Sequence, residues 1–142
     1  MNATVQWATG MRFAGMPESG AGITLDAMPE HGGNGQGPSP METVLLALGG
    51  CTGMDVVSIL GKMRAPLEGL EIRITADRAP THPQVFTRIA LEYVFSGPGL
   101  QADQVKRAVE LSQERYCSVS AMLRRTADLT YTWRIAGASS RA

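Results

Sequence analysis

Between Pro40 and Arg64 the chain carries only four charged side chains, Glu42, Asp55, Lys62 and Arg64. Val44, Leu45, Leu46, Leu48, Met54, Val56, Val57, Ile59 and Leu60 meanwhile reach nearly every face of a helical wheel. A helix that is apolar all round must be covered all round. Its start is marked by Ser39-Pro40-Met41-Glu42. Serine stands at the cap, proline at the first helical position, and glutamate where it can bond back to the cap, the pattern of a capping box. Asp55 and the mid-helix glycines speak against a membrane span, so residues 40–64 are read as the central helix of a soluble domain, with no membrane partner.

Gly49, Gly50 and Gly53 interrupt this helix beside Cys51, although glycine weakens a helix by about 1 kcal/mol relative to alanine. Their spacing puts them on neighbouring faces, where another backbone can approach. Plain close packing and a pocket over Cys51 both satisfy that pattern. Covering the whole helix is a second demand, and one 142-residue chain with half-covered sheets is poorly able to meet it. An obligate homodimer is expected.

Around the helix the pattern is mostly strand-like, and it predicts one domain over residues 1–142. Residues 1–26 read as a three-stranded meander, with Ala3, Val5 and Trp7 alternating, Met11 and Phe13 flanking Arg12, and Ile23 and Leu25 after a Ser-Gly turn. Residues 27–39 are rich in Gly and Pro and form a loop. After Pro66, Leu70, Ile72, Ile74 and Ala76 mark one half-buried strand, and Val85, Thr87, Ile89, Leu91, Tyr93 and Phe95 one face of a longer one. Residues 102–115 form a surface helix, and a short helix starts at or near Cys117 or Ser118. Leu129, Tyr131, Trp133 and Ile135 alternate as a last strand, and residues 136–142 form a tail expected to be disordered. Strands, long helix, two strands, helix pair and strand make an α+β domain with mainly antiparallel sheets.

Thirteen Lys and Arg balance thirteen Asp and Glu, so no net field favours nucleic acid. The start lacks a basic, then apolar leader, which predicts a cytoplasmic protein in which a structural disulfide is out of place. Cys51 and Cys117 offer no C-x-x-C, and His31 and His82 lie in loops without a motif, so no metal is expected. Cys51 has an apolar surround and Asp55 on its side of the helix; both oppose a thiolate unless a cation is near or Asp55 is engaged elsewhere. A thiol opening a helix, as Cys117 does, gains from the dipole, or simply fills a cap position. Glu42 is explained by the capping box, and it is also a candidate catalytic residue beside Cys51, Cys117 and Arg12.

Taken together, "GPSPMETVLLALGGCTGMDVVSIL" and the later "ERYCSVSAML" resemble the OsmC/Ohr family of thiol-dependent hydroperoxide reductases, its OsmC-like branch above all, over about residues 3–135. The resemblance implies an intertwined homodimer in which sheets from both chains wrap the long central helices and active sites lie at the subunit interface. It makes Cys51 the peroxidatic and Cys117 the resolving thiol. Arg12, the only arginine of the N-terminal strands, takes the place of the catalytic cation. Ohr members carry an acid directly after the helix-opening proline; here Met41 holds that position and Glu42 follows it. The implied activity is reduction of hydroperoxides, organic ahead of hydrogen peroxide, through a Cys51–Cys117 disulfide that a dithiol reductant reopens. It serves oxidative-stress defence and needs no metal or organic cofactor. Two other readings use the same dimer: a small-ligand-binding module with unreactive thiols, and a redox sensor.

Overall fold

In the computed structural model, which describes residues 1–137, the chain divides into two compact units, Met1–Leu46 and Ala47 onward. Residues 138–142, most of the expected tail, lie outside the described residues.

In the first unit β1 (Ala3–Thr9), β2 (Arg12–Pro17) and β3 (Ile23–Leu25) pair in sequence order as the antiparallel meander that the alternation predicts. Gly10, at a φ of 55°, turns the first hairpin, and Trp7 Nε1 donates to its carbonyl at 2.8 Å. Every residue of β1 is exposed. The loop over 27–39 folds around Asp26, whose buried carboxylate accepts from the backbone N–H groups of Ala27 and Gln36 at 2.7 and 3.0 Å. Gly33 packs so tightly there that a Cβ would stand 1.9 Å from the Ala27 carbonyl oxygen.

The long helix α1 (Pro40–Lys62) begins in the first unit and runs into the second. The capping box forms as read: Ser39 N–H donates to Glu42 Oε1 at 2.9 Å, and Glu42 N–H to Ser39 Oγ at 3.2 Å. The helix ends at Lys62, two residues before the expected boundary, because Arg64 turns into the left-handed region at a φ of 56°. Ala65 N–H then donates to the Leu60 carbonyl at 3.0 Å, closing the end in the manner of a Schellman motif before Pro66. By length and composition α1 could cross a membrane. It packs instead on the sheet of its own unit, where Gly49 and Gly53 seat the Cδ1 atoms of Ile74 and Ile72. A Cβ at either glycine would approach those atoms to 3.1 and 3.3 Å. Gly50 faces open space.

Burial on α1 departs from the all-round expectation. Only Leu48, Thr52, Val56 and Leu60, one stripe of i, i+4 spacing, are buried, while Leu46, Met54 and Val57 stand exposed. One sheet face can cover only the stripe that meets it.

That sheet has the order β4 (Gly69–Arg78), β5 (Phe86–Ser96), β6 (Asp128–Ile135). β4 pairs antiparallel with β5, setting Leu70 opposite Phe95, Ile72 opposite Tyr93 and Ile74 opposite Leu91. β6, expected in a mainly antiparallel sheet, runs parallel to β5. Residues 97–127, which carry both remaining helices, bring the chain back to the start of β5, and a parallel neighbour requires a crossover of about that length. A second correction concerns Val85, read as inward but exposed, whereas Phe86 is buried. The register shifts at Asp77/Arg78, so the extra residue there switches which side of the pleat faces the core. On the outer face Arg73, Glu71, Glu92 and Arg134 form exposed ion pairs of the kind that contribute about 0–1 kcal/mol each.

The crossover starts as α2 (Ala102–Leu111), with Val105, Ala108 and Val109 buried as their spacing predicts. It then widens into one π-type turn over Ser112–Tyr116, closed by a bond from Cys117 N–H to the Ser112 carbonyl at 2.8 Å. α3 (Ser118–Leu123) follows, with Cys117 as its cap.

Candidate functional site

Cys51 and Cys117 meet in the second unit. α1 presents Cys51, half-buried, and the π-type turn delivers Cys117, which is 3% exposed. Both thiols are free, and the neighbouring Cys51 thiol helps to keep Cys117 protonated. Cys117 Sγ also accepts from the backbone N–H of Ser120 at 3.4 Å. The helix-dipole expectation for Cys117 does not carry through. Burial is the largest influence and pushes this thiol above its ordinary value, outweighing the nearness of the Ser120 hydroxyl and backbone N–H, which favours its charged form. α3 has only six residues, and the sulfur is shut away from water.

Behind Cys51 lies a buried polar chain that sequence reading did not find. Thr52 Oγ1 bonds the Tyr93 hydroxyl and Ser112 Oγ, each at 2.7 Å, and Ser112 Oγ donates to Asp55 Oδ2 at 3.0 Å. Gln113 Nε2 donates to the Tyr93 hydroxyl at 2.6 Å and to Thr52 at 3.3 Å. Arg124 reaches both the side-chain and the backbone oxygen of Gln113, the former at 2.9 Å. The donor directions follow from chemistry. A carboxylate can only accept and a guanidinium can only donate, so Ser112 gives its proton to Asp55, Thr52 gives to Ser112, and Tyr93 gives to Thr52. Burial pushes the Tyr93 phenol up, which keeps it protonated as this arrangement requires. The chain therefore runs with one polarity from the Arg124 cation to the Asp55 carboxylate. Asp55 is thus engaged by Ser112, one of the two alternatives, the other being a nearby cation, that a reactive Cys51 calls for.

The π-type turn makes this possible. It widens the helix end so that Ser112 and Gln113 both turn inward and are buried, and such turns recur at functional sites. The spacing of residues 102–115 carries no sign of it. Beside α1, Gly49, Gly50, Gly53, Met54, Val57 and Ile72 line an open cavity of about 610 Å³, almost wholly apolar.

Arg12 and Glu42 belong to the first unit, and each has a structural partner there. The Arg12 charge favours the ionised form of Asp26, whose carboxyl is held below its usual range mainly by the backbone donors of Gln36 and Ala27. Glu42 is held below its usual range by the Ser39 backbone N–H, then by the Ser39 hydroxyl, which is the capping box seen electrostatically.

Residues 33–132 match the family model described as OsmC-like protein. Protein YhfA of Escherichia coli (strain K12) is 41% identical over 139 residues, covering 97% of this chain and all of YhfA. The crystal structure of a hypothetical protein from Aquifex aeolicus VF5 superposes with a TM-score of 0.83 at 30% identity, with 94% of each chain covered. The Organic Hydroperoxide Resistance Protein OhrB of Bacillus subtilis shares the fold at a TM-score of 0.61 and 14% identity, over 94% of this chain and 98% of that one.

Proposed function

The chain belongs to the OsmC-like family, and from that membership and its two facing thiols we propose that it is a cysteine-based peroxidase for organic hydroperoxides. The observation that carries the reading is the meeting of a half-buried Cys51 with a buried, protonated Cys117 across two elements far apart in sequence. The difference in exposure supports the roles that the family resemblance implies. Cys51 is the thiol a peroxide can reach, and its thiolate attacks the peroxide O–O bond, releases an alcohol and becomes a sulfenic acid. Cys117 then displaces water from that sulfenic acid to form the disulfide. A dithiol reductant, available in a cytoplasmic setting, takes the oxidation away and restores both thiols. The apolar side chains that share the Cys51 side of α1, Ala47, Leu48 and Met54, support an apolar peroxide over hydrogen peroxide. Arg12 is proposed as the cation that favours the Cys51 thiolate, and Glu42 as a cap whose part in the chemistry is indirect.

The working form is proposed to be a homodimer, which the exposed Met54 and Val57 of α1 support. One equivalent of cumene hydroperoxide should remove both thiols of each chain and leave a disulfide within the chain. Cys51→Ser should abolish peroxide consumption, while Cys117→Ser should react once and then stall or over-oxidise at Cys51. Two thiols still free after peroxide treatment would overturn the peroxidase and leave a ligand-binding dimer as the better account.

A further inference from the structure

Ser120 is fully buried, and its hydroxyl oxygen has no hydrogen-bond partner. A buried polar group left unpaired in a resting state calls for a state in which it is paired. Its neighbour is the sulfur of Cys117, one helical turn back, which already accepts the Ser120 backbone N–H at 3.4 Å. That sulfur is neutral at rest, so a hydroxyl has little to gain from it. Once charged, it becomes a strong acceptor inside a site that water does not reach.

Resting on the reading above, in which Cys51 and Cys117 form a disulfide, we propose that the Ser120 hydroxyl is the hydrogen-bond donor that stabilises Cys117 as the leaving thiolate when a dithiol reopens the bond. One thiolate of the dithiol attacks Cys51 Sγ and forms a mixed disulfide. The Cys51–Cys117 bond breaks, and its electron pair goes to Cys117 Sγ, where the Ser120 hydroxyl and backbone N–H both donate. The dithiol's second sulfur then attacks the mixed disulfide and frees Cys51. The dithiol has lost two electrons and two protons, and the two cysteines have gained them. Faster departure from a better-stabilised leaving sulfur is general in thiol–disulfide exchange. Cys51 from α1 is the titratable group that acts on Cys117, and it disfavours the charge, whereas the Tyr93 phenol of β5 feels a Cys117 charge and stays protonated; Ser120 is the counterweight.

The test uses the full chain, with the disulfide made by diamide so that it does not depend on peroxide. Reduction by dithiothreitol is followed in time, and the Cys117 thiolate is titrated by its ultraviolet absorbance in a Cys51→Ser background. Ser120→Ala should slow reduction about tenfold and raise the titration midpoint by about one pH unit. Ser120→Thr should keep the wild-type values and the isosteric Ser120→Val should lose them, a comparison that holds even if the alanine variant folds poorly. Ser118→Ala, at an exposed hydroxyl on the same turn, should change nothing. Equal rates and midpoints for the threonine and valine variants would overturn the proposal, as would slower reduction with an unmoved midpoint. Failure of peroxide to oxidise Cys51, with the Ser120 effect intact on the diamide-made bond, would defeat the peroxidase reading and leave this one standing.

Discussion

Thr52 follows Cys51 in sequence, and its side chain takes its meaning from two distant residues, Tyr93 and Ser112. Replacing it with valine keeps the shape and removes the acceptor for the Tyr93 hydroxyl inside a dry site. A buried donor left without a partner costs about 1–3 kcal/mol, so Thr52→Val should lower the urea midpoint by that equivalent and Tyr93→Phe by less, because it removes the orphan along with the bond. Glu42 lies at the other extreme, an exposed cap legible from four consecutive residues. Glu42→Gln retains the reciprocal bond and should leave melting and peroxide turnover nearly unchanged, whereas Ser39→Ala should cost about 1 kcal/mol. Because the folded Glu42 carboxyl ionises below its ordinary range, its contribution is complete above the ordinary carboxylate value and is lost as pH falls through the folded one. Wild type and Glu42→Gln should therefore melt alike at neutral pH and part at low pH, where wild type alone loses this contribution. A large loss of turnover in Glu42→Gln with unchanged melting would instead place that residue in the chemistry. Local motifs such as the Ser39 cap are readable in a sequence; Thr52, Ser112 and Gln113 are not, since a polar side chain announces its burial only through partners supplied by other elements.

Among the elements, alternation located every strand, the capping box and all-round apolarity located α1, and helical spacing located α2. Neither pattern carries direction. β6 would show Leu129, Tyr131, Trp133 and Ile135 on one face whether it ran parallel or antiparallel, and only the length of the crossover, with two helices in it, decides for parallel. The bulge near Thr87 and the π-type turn at Ser112 escaped for a related reason: each inserts a residue that shifts the phase of a periodic pattern without changing its composition. The end of α1 yields a direct test. Arg64 adopts a left-handed backbone that favours glycine, and the closing bonds at Ala65 and Arg64 need that conformation rather than that side chain. Arg64→Gly should therefore raise stability by about 0.5–1 kcal/mol in equilibrium denaturation, part of the gain being offset by the freer unfolded chain. An unchanged or lowered midpoint would mean that the guanidinium itself holds the helix end.

At the scale of the molecule, surface left open bears most directly on function. In the first unit Val5, Trp7, Met16 and Ile23 are exposed on a three-stranded sheet, and in the second Met54 is 76% exposed, with Val57 also bare one turn on. Soluble monomers rarely leave contiguous apolar patches of this kind without a partner. The all-round apolarity of residues 40–64 raises the same expectation from the sequence; what it could not specify was the stripe that the chain covers for itself, Leu48, Thr52, Val56 and Leu60. The uncovered faces are those a second copy would take, and the apolar cavity that Met54 and Val57 line belongs to the same face of α1. Sedimentation at micromolar concentration should find a dimer with no stable folded monomer. Met54→Glu puts a charge where the partner would desolvate it, and should lower Tm in a concentration-dependent manner and reduce turnover while leaving Cys51 and Cys117 able to form their disulfide under diamide. A wild-type chain that sediments as a folded monomer with full peroxide turnover would remove the dimer from the account and make the exposed face of α1 available for some other partner.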